Sequence, residues 1–193
     1  MEMWKICRVL NNPIRFALLR EIMFSPGRVQ NVVQAGERLG IKKSLASQYL
    51  KKLSEAGLLM VKRSGRYAMC SSVNLQRSSV ARLQIALDKF FLGNHSASDG
   101  ETVLKTLNAL SHHGRIAILR IVADQAGLSF SELEKATGFP AATLRRQLGV
   151  LIEAGVIATS ENAAGSRTYL LGRQSVNLSF VLVSLALDGR LKS

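Results

Sequence analysis

Ile41–Tyr67, IKKSLASQYLKKLSEAGLLMVKRSGRY, decides how the chain folds. Ala46, Leu50 and Leu53 recur at i, i+4 and i+7 and so form an apolar stripe on one helix face. Lys43, Ser44, Ser47, Gln48 and Lys51 fall off that stripe and face outward, and Lys42 joins Lys43 in a basic pair. Gly57 ends the helix, because a residue without Cβ adopts the left-handed conformation at low cost. Leu58–Val61 then reads as a buried strand and Ser64-Gly65 as the turn into Tyr67, flanked by Lys62, Arg63 and Arg66. The expectation is a helix followed by a basic β-hairpin.

Short polar side chains on the outside of a helix suit the edges of bases in a DNA major groove, and a cationic hairpin suits the phosphates beside it. The bulk chemistry agrees. The 193 residues carry a net charge of +13, with a sequence pI of about 10.5, which favours a polyanionic partner, nucleic acid before an anionic membrane surface. Hydrophobic residues make up 47%, enough for packed cores and against a disordered chain. Two cysteines, Cys7 and Cys70, are too few for a disulfide scaffold and imply a reducing, cytoplasmic setting. The opening MEMWKICRVLNN lacks the apolar core of a signal peptide, and no apolar run reaches the roughly 20 residues of a membrane span.

Read in order, Met3–Leu10 is a helix, and Asn12-Pro13 starts the next, Ile14–Phe24. Pro26-Gly27 breaks it. Val29–Leu39 reads as a third helix, and Ser78–Leu92 as a long amphipathic one after the hairpin. GNHSASDG, at 93–100, is small, polar and aperiodic, the strongest linker signal in the chain. The pattern then begins again. NNPIRFALLREI at Asn11 aligns with SHHGRIAILRIV at Ser111, matching Arg15 to Arg115. LSEAGLL at Leu53 aligns with LIEAGVI at Leu151, SVNL at Ser72 with SVNL at Ser175, and IALD at Ile85 with LALD at Leu185. Ser129 and Glu132 have the spacing of a capping box for the third helix of the second copy. The sequence thus predicts a mainly α chain with small β-hairpins: domain 1 over 1–93, a linker over 94–100 and domain 2 over 101–193.

Each copy resembles the ArsR family of winged helix-turn-helix transcriptional regulators, with MarR-type and other winged-helix regulators close behind. The resemblance rests on Arg15–Ile22 and Arg115–Val122 in the second helix. It rests also on Ser47-Gln48-Tyr49-Leu50 running to Ala56-Gly57-Leu58, and on Arg145-Arg146-Gln147-Leu148 running to Ala154-Gly155-Val156. The second copy departs further from the family pattern. The resemblance implies sequence-specific binding of double-stranded DNA, repression by steric block, and association through first and last helices. With both copies in one chain, the terminal helices of each can pair inside one molecule as a pseudo-dimer, two readers about one duplex turn apart, or between chains as a homodimer.

On this reading Lys43, Ser44, Ser47 and Gln48 meet base edges; Lys51, Lys62, Arg63 and Arg66 meet phosphates; Lys42 is a further DNA-binding residue; and Arg145, Arg146 and Arg167 do the same work in the second copy. The copies are unequal. Through Ser96 there are 16 basic and 5 acidic residues, an excess of 11; after it 10 basic and 8 acidic, an excess of 2. The first copy is therefore expected to dominate affinity, since the salt slope grows by about 0.9 per phosphate neutralised. The family's metal-sensing cysteines do not carry over: there is no Cys-x-Cys pair, and adjacent His112 and His113 do not share a helix face. No P-loop, nucleophile elbow or acid–base pair points to catalysis, and no cofactor is expected. The rival classes are a winged-helix adaptor for other proteins, and a nucleoid or RNA-binding protein without sequence preference.

Overall fold

A computed structural model of the chain describes residues 2–23, 29–64, 67–72, 79–93, 95–163 and 165–187. The chain divides into two compact units, Met1–Asn94 and His95–Ser193. It is mainly helical with small antiparallel sheets, consistent with a winged helix-turn-helix.

The first unit runs α1 (Met3–Leu10), α2 (Pro13–Met23), β1 (Val29–Asn31), α3 (Val32–Arg38), α4 (Lys43–Glu55), β2 (Leu59–Ser64), β3 (Tyr67–Ser72) and α5 (Ser79–Leu92). Asn12 caps α2 as its sequence suggests, its Oδ1 accepting from the Arg15 N–H at 2.9 Å. The core joins Ile6, Cys7 and Leu10 of α1, Leu18, Leu19 and Ile22 of α2, and the Ala46–Leu50–Leu53 stripe of α4. Cys70 is buried on β3, as expected of a strand residue.

Two expectations are corrected here. Val29–Leu39 is not one helix: Val29–Asn31 is a strand, paired antiparallel with β3 in the register Val29↔Ser71 to Asn31↔Met69, so the sheet order is β1-β3-β2. A three-residue strand has too little local signal to outweigh the helical periodicity that follows it; pairing with a distant segment decides its conformation. Residues 94–100 are also not all linker. Ser96 is the N-cap of a helix that begins at Ala97, and Asp99 closes a capping box with it. The serine and aspartate that read as polar filler are the start signal itself. The hairpin turn residues Gly65 and Arg66 lie outside the described residues, as does Arg77.

The second unit repeats the order: α6 (Ala97–Leu110), α7 (His113–Asp124), β4 (Leu128–Ser129), α8 (Phe130–Thr137), α9 (Ala141–Glu153), β5 (Ile157–Glu161), β6 (Arg167–Leu171) and α10 (Asn177–Leu187), with sheet order β4-β6-β5. His112 caps α7, its Nδ1 accepting from the Gly114 N–H at 3.1 Å. α8 carries the Ser129–Glu132 capping box. Thr106 on α6 donates to Ser179 on α10 at 3.0 Å, satisfying two buried hydroxyls where α10 packs on α6. Arg120 Nε closes the far side with a 2.9 Å bond to the Ala186 carbonyl near the end of α10.

Both outward-facing helices end alike. Gly57 and Gly155 take φ of 67° and 66°. Leu58 donates to the Leu53 carbonyl at 3.0 Å and Gly57 to Ser54 at 2.9 Å; Val156 and Gly155 do the same to Leu151 and Ile152, at 2.9 and 2.8 Å. These are complete Schellman motifs, and they turn the chain from helix into hairpin within one residue. In the second unit the returning strand crosses this corner closely: Gly172 donates to Val156 at 2.9 Å, and a Cβ at Gly172 would overlap the Gly155 carbonyl oxygen.

Gly172→Ala is therefore expected to lower the melting temperature of the second unit well beyond the effect of an exposed substitution, measured by thermal denaturation followed by circular dichroism. Ser129→Ala should lower it by about 4 °C. The Ser129 hydroxyl and backbone N–H hold the Glu132 carboxyl below its ordinary 4.5. A depressed carboxylate stabilises the folded state above its unfolded value and loses that contribution as pH falls through its folded value. The gap between wild type and Ser129→Ala should thus be constant from pH 7 to about 5 and narrow below the carboxylate range.

Candidate nucleic-acid interface

The interface is built from the inside. One arginine at the start of the second helix fixes the outward-facing helix in each unit. Arg15 Nε donates to the Val9 carbonyl at 2.6 Å and Nη2 to Arg8 at 3.3 Å, tying α2 to the end of α1. Its guanidinium also lies 5.5 Å from the Tyr49 ring of α4. Arg115 repeats the set: Nε to the Ala109 carbonyl at 2.6 Å, Nη2 to Asn108 at 2.6 Å, and Nη1 to Gln147 Oε1 on α9 at 3.1 Å. Tyr49 and Gln147 are equivalent in the sequence alignment. Partial burial pulls both guanidiniums below the ordinary arginine pKa, the expected sign for a cation removed from water. Charge-assisted bonds in such surroundings are strong ones.

With Ala46, Leu50 and Leu53 buried, α4 turns Lys42, Lys43, Ser44, Ser47, Gln48 and Lys51 to the surface, all on the side the sequence assigned them. Lys52 joins them. Glu55 is the acid of this helix, 3.9 Å from Lys51 in an exposed pair. An exposed pair of this kind is worth about 0.5 kcal/mol or less and is readily exchanged for another anion. Lys42 is the N-cap, its ammonium has no acceptor for the helix N–H groups, and with Lys43 it puts two cations at the positive end of the helix. That placement is unfavourable by about 0.3–1 kcal/mol per charge until an anion arrives. Lys62 is exposed on β2. Arg63 belongs to the same strand, paired with Ala68. Arg66, the third wing cation, falls among the residues not described.

The second unit places its residues on equivalent elements with different chemistry. Arg145 and Arg146 are exposed on α9, Arg145 beside the buried Leu144–Leu148–Leu151 stripe and Arg146 opposite it. Arg145 lies over the Phe130 ring at 5.3 Å. Arg167 is exposed on β6, across from Glu161 in strand register, so the charge of this hairpin is partly offset. Phe130, Tyr49 and Gln147 were not singled out from sequence, because each acts through a partner on another element. Arg15 and Arg115 stand out in the sequence as matched residues of the repeat and of the family-like second helix, with no sign there of what they bind.

Tyr169 is buried on β6, a packing residue of the hairpin. Cys7 is buried and its thiol pKa is raised by desolvation; burial pushes Cys70 up to about 11. Neither has the lowered pKa of a reactive thiol. Among the described residues no cluster of histidine, cysteine or carboxylate side chains could hold a metal ion, and no helix is long and apolar enough to cross a membrane.

The pattern of a helix-turn-helix domain family matches residues 110–160, which contain α7, β4, α8, α9 and the start of the second hairpin. A comparison with curated proteins returns no match. The family match supports a winged helix-turn-helix of the regulator type, with DNA as its partner.

Removing charge from the first hairpin isolates its contribution. Lys62→Ala, Arg63→Ala and Arg66→Ala together should weaken binding to every duplex and lower the log–log salt slope by about 2 to 3. A slope equal to wild type would take the hairpin off the phosphates.

Proposed function

We propose that the chain is a sequence-specific, double-stranded-DNA-binding transcriptional regulator, a repressor acting by steric block, built as a tandem duplication of an ArsR-like winged-helix domain. The observation that carries this reading is the outer face of α4. It displays Lys42, Lys43, Ser44, Ser47, Gln48 and Lys51 over a fully buried apolar stripe, beside a strand that adds exposed Lys62. Cations supply affinity through phosphates, and Ser44, Ser47 and Gln48 supply hydrogen bonds short enough to read base edges. The duplication is supported by the shared element order and by the two arginine clamps, which take the same backbone carbonyls six and seven residues upstream. The two halves form a pseudo-dimer within one cytoplasmic chain, with a homodimer as the alternative.

A role as a protein-interaction adaptor is favoured by one feature, the large apolar side chains left outside: Leu92 is 69% exposed, Phe180 60% and Ile85 56%. The readings separate in one experiment. Purified full-length chain is mixed with random-sequence and genomic duplex fragments across a salt series, with its mass in solution measured alongside. The regulator reading expects enrichment of a bipartite site that survives physiological salt. Gln48→Ala should then relax preference at one position while leaving binding to unselected duplex within about twofold, because one side chain's base contact is worth about 1–3 kcal/mol in discrimination only. Binding that vanishes at physiological salt with no enrichment would leave the adaptor.

A further inference from the structure

Two adjacent arginines on α9 sit in different surroundings. At about 100° per residue, Arg146 is two residues from both Leu144 and Leu148 and so lies opposite the buried stripe. Arg145 lies on the flank, its guanidinium stacked over Phe130, the first residue of α8. Among the described residues Arg146 has no hydrogen bond, ion pair or ring contact. Its neighbours one turn away are Ala142, Thr143, Gly149 and Val150, all short, so no long side chain stands between it and a partner. Gly149 is exposed in the interior of a 13-residue helix, and a Cβ there would meet nothing within 4 Å. A glycine in that position lowers helix stability relative to alanine, with no internal contact to explain it.

Bidentate recognition of guanine O6 and N7 needs one free guanidinium edge on a side chain at the centre of the outer face, carried on a backbone that comes close to the groove floor. A guanidinium held on the flank by an aromatic face suits a fixed phosphate on the groove wall. We propose that Arg146 is the specificity-determining residue of the second unit, reading a guanine in the major groove, while Arg145, positioned by Phe130, contacts a phosphate. This deepens the DNA-regulator reading and rests on it.

The test uses the full chain and the duplex that wild type enriches from a random-sequence pool. Arg146→Lys keeps the charge and loses the fork. It should discriminate at one G·C position about tenfold less. Arg145→Ala should weaken all duplexes by a common factor, lower the salt slope by about 0.9 and leave the preferred bases as they are. Phe130→Leu should weaken binding in the same uniform way. Gly149→Ala should raise the melting temperature yet weaken binding to the enriched duplex, a combination that a purely structural glycine does not give. An Arg146→Lys protein with wild-type preference, or an Arg145→Ala protein with an altered one, overturns the assignment while the regulator reading stands. A wild type that enriches nothing removes both.

Discussion

The guanidinium at the start of the second helix is the constraint on which each unit depends. Arg15 and Arg115 each bind carbonyls at the end of the preceding helix and then reach the outward-facing helix, Arg15 through the ring of Tyr49 and Arg115 through the amide of Gln147. A carbonyl near a helix C-terminus carries partial negative charge and lacks its intrahelical partner. The arginine satisfies that end and spends its remaining surface on the helix that faces outward. One side chain thereby touches three helices, and it adds a polar contact to the apolar stripe that decides which face of α4 or α9 is turned outward.

That frame is shared, but the surfaces mounted on it differ. The first unit displays many lysines on α4 and β2, mobile point charges whose attraction for phosphate is strong and undirected. The second has little net charge, and the cations on α9 are arginines with planar, directional forks, one of them held against a ring. Its hairpin sets Glu161 opposite Arg167. On the proposed function, the first unit supplies attraction to any duplex and the second supplies discrimination. Duplication followed by divergence of the outer residues alone would give this division, because the clamp, the buried stripe and the Schellman turn leave the outer positions unconstrained.

Much of this was legible in the sequence because the signals are local. The i, i+4, i+7 stripe of α4, the Ala-Gly ending of both outward-facing helices and the Ser129–Glu132 box each lie within a few residues, and each appears where its spacing put it. β1 was not legible, because three residues become a strand only when β3 pairs with them. The start of α6 does carry its signal, Ser96 and Asp99 at capping-box spacing, but the polar composition around them resembles a linker. The site residues were read as a list of outward positions. What each one leans on, Phe130 under Arg145 or Tyr49 under Arg15, joins elements that the chain order does not bring together, and no periodicity reports it.

The two cysteines have a consequence for how the molecule can be observed. Cys7 is buried on α1 and Cys70 on β3, the central strand of its sheet, both with thiols whose pKa burial raises. Maleimide and iodoacetamide reagents require an accessible thiolate, so the native chain is nearly silent to them. A single cysteine introduced at exposed Ala142, on the outer face of α9, would be the dominant point of attachment. A fluorophore or spin label placed there could follow that face while both native thiols stay in place.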